Sequence, residues 1–139
     1  MIRYIKFSYF LFAVLFIACK SPANDVSQNN PLYDQVMFIH DKVMPQTATI
    51  HTYIRELKAM DIKEAKDIIY ANIQSLEKAD EAMMAWMADF KIPVDTTQTK
   101  NYLTFEKSKI SNVSDRMFAT IDRAKIVIDS LKVIEKIKK

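Results

Sequence analysis

Two groups of side chains in this 139-residue sequence have the chemistry and the spacing to bind a ligand. The first is Met37, His40, Met44 and His51, whose spacings of three, four and seven residues place them on one face of a helix. Thioether and imidazole ligands together select soft ions such as Cu(I). Methionine also fills irregular gaps in helical cores without any ligand. We favour core packing for this group and keep a soft-metal site as the alternative.

The second group surrounds Trp86, the only tryptophan of the chain. Met83, Met84 and Met87 flank it within one helical turn. Such a group can line an apolar pocket for a lipid or another hydrophobic ligand. Sulfur–aromatic contacts inside a core have the same composition, and core packing is again the interpretation that we favour. Ligand or partner binding at Met83, Trp86 and Met87 is the alternative.

Catalytic constellations are missing from the sequence. The chain has no glycine, so it has neither a glycine-rich phosphate loop nor a glycine-flanked nucleophile elbow. Its two histidines form none of the Glu-x-x-His or His-x-x-x-His pairs of di-iron and zinc sites. We therefore predict that the protein is not an enzyme and has no resident cofactor.

Cys19 is the only cysteine, and it follows a hydrophobic leader. Two basic residues stand in front of an apolar run from Phe7 to Ala18, which is the layout of a secretion signal. The letters FIAC at its end resemble a lipobox, the motif at which lipoprotein signal peptidase cuts before a cysteine that becomes acylated. We expect a signal peptide over residues 1–18 and lipidation of Cys19.

Two other interpretations of the leader stay open. An uncleaved transmembrane anchor needs about 20 apolar residues, and this run has about 12. A soluble secreted form would leave one unpaired thiol in an oxidising compartment. Lys20, rather than aspartate, follows the cysteine, which is compatible with the outer membrane. We expect a lipid-anchored protein of the cell envelope that faces the periplasm.

The charge of the chain gives no sign of nucleic-acid binding. The leader contains two of the 20 basic residues and none of the 17 acidic ones, so the remainder is close to neutral. Nucleic-acid binding needs a concentrated basic face. The partners that we expect are the membrane, through the lipid, and an envelope protein or a second copy of the chain.

The rest of the chain divides into a tether and one helical domain. Residues 19–30 comprise the lipidated Cys19 and a polar segment without apolar periodicity, which indicates a flexible tether. Residues 31–139 form the predicted domain. The absence of glycine argues against tight hairpins, so an all-α fold is expected.

The first predicted helix begins with Asn30 as its cap and Pro31 in its first turn. Pro45 interrupts it, and because the apolar spacing continues past this residue, we predict one long helix kinked at Pro45 rather than two helices with a short joint. Its inward-facing residues repeat every seven positions: Val36, Val43, Ile50 and Leu57.

Two further helices follow the same pattern. Asp61 and Glu64 match a capping box at the start of the second, and Asp95 with Gln98 offers a cap for the third. The second helix carries the series Ile62, Ile69, Leu76, Met83, Phe90 and the series Ala65, Asn72, Ala79, Trp86. The third carries Leu103, Ile110, Met117, Ala124, Leu131, with Val113, Ile121, Ile128 and Ile134 beside them.

Short connections between three long helices predict an antiparallel up-down-up three-helix bundle. A long parallel coiled coil is the second possibility. The third helix is longer than its neighbours, so its C-terminal part, residues 125–139, should overhang. Fraying or packing along the first helix is the simpler role of this segment, and contact with a partner helix is the alternative.

Three segments resemble a family of small Gram-negative lipoproteins whose members often carry the automatic label "viral A-type inclusion protein". They are VMFIHDKVMP (36–45), LEKADEAMMAWMADF (76–90) and YLTFEKSKISNVSDRM (102–117). The resemblance spans roughly residues 32–125. It implies a helical fold and an envelope location, but no catalytic residues, because the family has no established activity. The residues shared with its pattern are His40, Asp41, Met44, Pro45, Trp86 and Met87.

These observations predict a lipid-anchored envelope protein that acts as a non-catalytic interaction or structural module. The alternative is binding of a soft metal or a small hydrophobic ligand through the two groups described first.

Overall fold

The computed structural model describes residues 30–93 and 95–137, and within these ranges the chain is almost entirely helical and contains no strand. The helices are α1 (Pro31–Val43), α2 (Gln46–Ala59), α3 (Lys66–Asp89) and α4 (Thr96–Ile137), with a 3-10 turn at Lys63–Ala65. The predicted all-α fold is confirmed. In the described part of the chain, no helix combines the length and the hydropathy that crossing a membrane requires. The predicted signal peptide, Cys19 and the tether up to residue 29 lie outside the described residues.

Helices α1 and α2 are the two arms of one bent rod. Met44 and Pro45, between them, both keep right-handed helical angles, with φ −54° and ψ −40° for Met44 and φ −61° and ψ −18° for Pro45. The Met44 N–H still donates to the His40 carbonyl at 2.8 Å, whereas Thr47 and Ala48 donate only three residues back. Proline has no N–H and its ring collides with the preceding turn. The predicted kink at Pro45 is confirmed.

Two of the three predicted helix starts are confirmed. The Asn30 Oδ1 accepts a hydrogen bond from the Leu32 N–H at 3.0 Å, and Pro31 is the first helical residue. At the start of α4, Asp95 Oδ1 accepts from the Thr97 N–H at 2.9 Å and from the Thr97 hydroxyl at 2.7 Å. The Thr97 hydroxyl, followed by its N–H, holds the pKa of Asp95 below the ordinary 3.8.

The capping box predicted at Asp61 is wrong as the start of an α-helix. The chain passes through the 3-10 turn Lys63–Ala65, and α3 begins at Lys66 with no side-chain hydrogen bond at its cap. Ile62 and Ala65 are both buried, so this connection is held by apolar contacts with the core. The local capping signal is overridden because the chain buries these two side chains before it turns into α3.

The core consists of the predicted seven-residue series. In α1 and α2 the four residues of the series have no solvent exposure: Val36, Val43, Ile50 and Leu57. Burial of one such aliphatic side chain contributes about 1.5–3 kcal/mol to the free energy of folding. Of the other predicted positions, Phe90 and Val113 are half-buried and Ile134 is exposed. The remaining predicted residues are buried: Ile62, Ile69, Leu76, Met83, Ala65, Asn72, Ala79, Trp86, Leu103, Ile110, Met117, Ala124, Leu131, Ile121 and Ile128.

Helix α4 packs against all three other helices, and α2 also packs on α3. Polar contacts at the surface record which residues lie side by side. Gln35 and Glu56 pair with Lys107 and Lys132 of α4 at 2.7 and 2.8 Å. His51 and Lys58 of α2 pair with Asp80 and Glu77 of α3 at 3.1 and 3.3 Å. Exposed pairs of this kind contribute about 1 kcal/mol or less to stability, so they matter here because they show how the helices are aligned along one another.

The end of α4 extends beyond the other helices. At 1.5 Å per residue α4 is about 63 Å long, whereas α3 is about 36 Å long. Leu131 is its last buried residue, and the following positions to Ile137 are all exposed. The overhang predicted for residues 125–139 is therefore wrong for residues 125–131, where Ile128 and Leu131 are buried, and we call residues 132–137 the C-terminal overhang.

Candidate functional site at the junction of α1, α3 and α4

Five aromatic rings meet where the start of α1, the end of α3 and the start of α4 come together. Trp86 and Phe90 are stacked at 4.9 Å between centroids, and His40 of α1 lies 5.7 Å from the Trp86 ring. Tyr33 and Tyr102 lie 6.4 and 6.0 Å from Phe90. Ring pairs at these separations contribute about 0.5–1.5 kcal/mol beyond the burial of their area. We call these five residues, together with Glu106, the aromatic junction.

Glu106 is a buried carboxylate inside the aromatic junction. Its side chain is only 4% exposed, and both of its oxygens have partners. The Trp86 indole Nε1–H donates to Oε2 at 2.8 Å, and Lys109 Nζ donates to Oε1 at 3.0 Å. A buried charge is tolerated only with such partners. Glu106 therefore fixes the Trp86 ring between α3 and α4, with one donor on each of its oxygens.

Tyr102 closes the connection between α3 and α4. Its hydroxyl oxygen accepts a hydrogen bond from the Lys91 N–H at 2.6 Å. Partial burial raises the pKa of Tyr102 above the ordinary 10. The phenol is therefore neutral throughout the physiological range. In this structure it accepts the hydrogen bond of the Lys91 backbone N–H just after α3.

His40 is held by one nitrogen and presents the other. Its Nδ1 lies 2.9 Å from Asp41 Oδ1, and its side chain is only 16% exposed. A carboxylate beside one ring nitrogen orients an imidazole, and metal-ligating histidines commonly have such a partner. Nε2 of His40 has no hydrogen-bond partner among residues 30–93 and 95–137. Nε2 is therefore the ring nitrogen that is left for a ligand.

The other histidine of the first predicted group lies elsewhere. His51 Nε2 contacts Asp80 Oδ2 at 3.1 Å on the α2–α3 surface, and its side chain is 55% exposed. Eleven residues separate it from His40, which is about 16 Å along the rod. The two histidines therefore cannot bind the same ion. Met37 and Met44 are half-buried on either side of His40, and Met44 packs against the core.

The second predicted group is divided by burial. Met83 has no exposure and Trp86 is 5% exposed, so both belong to the core, as favoured from the sequence. Met87 is 41% exposed, and Met84 is 42% exposed. These two methionines do not fill core space. Met87 directly follows Trp86 in α3 and lies on the same helix face as Met83 and Phe90, at spacings of four and three residues.

Two open grooves adjoin the aromatic junction. One of about 280 Å³ lies between α3 and α4, with Trp86 in its wall and Lys109 and Asp89 at its polar edge. Alanines 82 and 85, Asn112 and Val113 complete its lining. The other, of about 370 Å³, is lined by Asp34, Gln35, Phe38, Ile39 and Lys107 between α1 and α4. Both grooves present an apolar floor to solvent, which suits contact with an apolar group.

The described part of the chain contains no group of three or more His, Cys, Asp or Glu side chains placed to hold a metal ion. A hard-metal site of carboxylates and imidazoles is therefore not formed by these residues, while a site that uses thioether ligands stays a prediction.

Glu106 was not among the predicted site residues, although the sequence contains a signal for it. It lies three residues after Leu103 and four before Ile110, which is a core-facing position of a helix. A charged residue at such a position is expected to have a buried partner. Its partner, Trp86, is 20 residues away in the sequence, so only the packing of α3 on α4 identifies it.

No protein-family description, curated protein or solved structure matches this chain. The resemblance to small Gram-negative lipoproteins therefore stays a prediction.

Proposed function

We propose that this protein is a lipid-anchored component of the cell envelope in which three helical rods form an up-down-up antiparallel bundle. The bundle is non-catalytic and acts as an interaction or structural module. It is attached through Cys19 to the outer membrane and faces the periplasm. Its partner is an envelope protein or a second copy of the chain.

The order of the paired residues supports the bundle topology. Residue numbers in α4 rise together with those of the first rod, from the Gln35–Lys107 pair to the Glu56–Lys132 pair. Between α2 and α3 they run in opposite directions, as in the His51–Asp80 and Lys58–Glu77 pairs. Such an order is expected when the first and third rods are parallel and the second is antiparallel to both.

The apolar outer face of α4 is the observation that carries the interaction role. Ile126, Val133 and Ile137 are 67%, 56% and 80% exposed, and their spacings of seven and four place them on one face. The buried residues of this part of α4, Ile128 and Leu131, lie on the opposite face. A helix that is apolar on both faces is usually covered on both. This outer stripe is therefore the surface that we assign to the partner.

The chemistry of the described residues supports a non-catalytic role. The one deeply buried carboxylate, Glu106, is occupied at both oxygens. The exposed charges near the partner surface are paired as well: Asp129 accepts from Lys125 at 2.7 Å, and Lys132 donates to Glu56 at 2.8 Å. These contacts lower the pKa of Asp129 and raise those of Lys125 and Lys132, so the groups stay charged.

Lipidation of Cys19 is tested by mass spectrometry of the membrane-extracted protein and by fractionation of cells. The wild-type protein should lack residues 1–18, carry acyl chains on Cys19 and sediment with the outer membrane. Cys19→Ser should release the domain from the membrane or leave it unprocessed, whereas Ser21→Ala should behave as wild type. An unmodified thiol on the processed wild-type chain would refute the anchor.

The partner surface is tested by placing a photoreactive amino acid at Val133 in living cells. A discrete adduct is expected there, and its mass distinguishes a second copy from another envelope protein. The matched control is Lys78, an exposed position of α3 outside this stripe. Ile126→Glu combined with Ile137→Glu should abolish the Val133 adduct. No adduct at Val133, or the same adduct at Lys78, would refute the assignment of this surface.

A further inference from the structure

We propose that His40 of α1 and the Met83–Met87 turn of α3 form one composite site for a soft monovalent cation of the Cu(I) or Ag(I) type. This proposal goes beyond the proposed interaction module, because the site lies at the aromatic junction and not on the outer face of α4 that carries Ile126, Val133 and Ile137. In the sequence these residues belong to two separate groups, one around His40 and one around Trp86. The packing of α1 on α3 joins one histidine of the first group to the tryptophan and methionines of the second.

On the α1 side, the ligand is the free Nε2 of His40. Asp41 Oδ1 lies 2.9 Å from Nδ1 and orients the imidazole, which leaves Nε2 as the nitrogen that a metal would contact. Met44 lies four residues after His40 and Met37 three before it, so both thioethers share the face of the imidazole. All three side chains are half-buried, which leaves them accessible from solvent while partly shielding an ion.

On the α3 side, His40 packs on a surface that contains two methionines. Its ring is 5.7 Å from the ring of Trp86. Met83, Trp86, Met87 and Phe90 are spaced by three, one and three residues, so they are neighbours on α3 and form one four-residue surface. The ring contact with Trp86 therefore brings His40 to the face of α3 that carries Met83, which is buried, and Met87, which is 41% exposed.

The chemistry of this residue set selects a soft ion. Thioether sulfur and imidazole suit Cu(I), whereas Mg²⁺ and Ca²⁺ require oxygen ligands. Both oxygens of the neighbouring Glu106 are bonded, to Trp86 and to Lys109, and one oxygen of Asp41 is bonded to His40. The face of the indole adds a cation–π attraction for a monovalent ion within about 6 Å of its ring.

Two features of this surface leave room for a ligand. Met87 is 41% exposed, so it does not fill a gap in the core. His40 is bonded through Nδ1, and its Nε2 is not among the buried atoms of the described residues that lack a partner, so this nitrogen is open to solvent. A soft cation would use the exposed methionine and the accessible nitrogen together.

The test is titration of the full-length chain with Ag(I), and with Cu(I) under reducing conditions against a chromophoric chelator. Every sample carries Cys19→Ala, so that no thiolate competes for the ion. Because Trp86 is the only tryptophan, its fluorescence reports the site directly. We expect one equivalent to bind with sub-micromolar affinity and to quench the tryptophan emission.

Two ligand variants have matched controls in the same chain. His40→Phe keeps a ring against Trp86 but removes the nitrogen, and Met87→Leu removes an exposed thioether at nearly constant volume. Each should weaken binding about tenfold or more, which is the scale of losing a group that holds a metal. His51→Phe and Met60→Leu change the other histidine and a methionine at the end of α2, and should bind as wild type. Circular dichroism verifies that all four variants are folded.

Three outcomes would overturn the proposal. They are binding no tighter than micromolar, binding without a change in Trp86 emission, and equal losses in His40→Phe and His51→Phe. None of them bears on the crosslink at Val133, so failure of this site and failure of the interaction module are distinguishable.

Discussion

The aromatic junction and the C-terminal overhang are both rich in large apolar side chains, but only the junction is covered. At the junction, Trp86 is enclosed by three helices and bonded to a buried carboxylate. At the overhang, a single helix carries Val133 and Ile137 into solvent. The comparison teaches that apolar composition alone does not distinguish a core from a contact surface. What distinguishes them is whether another helix covers that face, because Ile126 is 67% exposed on the outer face of α4 while Ile128 and Leu131 are buried on the inner one.

Substitution of Trp86 by alanine should have the largest effect on folding. It removes the central ring of the junction and leaves the Glu106 carboxylate buried without its indole donor. We expect a loss of about 3–5 kcal/mol in the free energy of unfolding, measured by urea denaturation. Val133→Ala at the overhang is the matched control, with a change within about 0.5 kcal/mol. Similar losses in the two variants would contradict the contrast between the two regions.

The Trp86–Glu106 hydrogen bond can be tested separately from the packing of the ring. Trp86→Phe keeps an aromatic ring but removes the donor, and Glu106→Ala removes the acceptor. Each should cost about 1–3 kcal/mol, because a buried polar group is left without its partner. The double variant should lose less than the sum of the two single losses. Strict additivity would show that the bond contributes nothing of its own.

Removal of the overhang should leave the fold intact. A chain that ends after Lys132 keeps Leu131, the last buried residue of α4. Its free energy of unfolding should lie within about 0.5 kcal/mol of wild type, because no core contact is lost. The same truncation should abolish the adduct formed when the photoreactive residue is placed at Ile126. A large loss of stability would mean that the overhang packs against the bundle.

The smallest expected effect concerns acid sensitivity at the start of α4. The Thr97 hydroxyl lowers the pKa of Asp95 in the folded state, so this group stabilises the fold above the unfolded value near 3.8. That contribution is lost as the pH falls through the lower pKa of the folded state. Asp95→Asn should therefore give a shallower decline in unfolding free energy between about pH 5 and pH 2. If the unfolding free energies of wild type and Asp95→Asn fell equally steeply with pH, the stabilising role of the Asp95 cap would be contradicted.

A good part of the fold follows from local spacing. The fully buried series from Val36 to Leu57 and from Leu103 to Leu131 could be identified from the seven-residue repeat, because a helix places such residues on one face whatever its neighbours are. The Asn30 and Asp95 caps are local in the same sense. The burial of Ile62 and Ala65 was predicted as part of the seven-residue series, but the 3-10 turn before α3 was not, since the path of this connection depends on the other helices.

The candidate site was predictable only as a set of residue types. Sequence spacing placed His40 and His51 in one group, whereas packing directs His40 to Trp86 and His51 to Asp80. The Glu106 partner of Trp86 could not be identified, because its position is set by the alignment of α3 with α4.

The sequence by itself determined which residues form helices, which faces are apolar, where the first rod bends and which side chains have ligand chemistry. These properties depend on backbone geometry within a few turns. The tertiary structure decided which of those side chains meet, which carboxylate is buried and which apolar face is left uncovered. These properties depend on the register and relative lengths of helices that are distant in the sequence, and no local spacing encodes them.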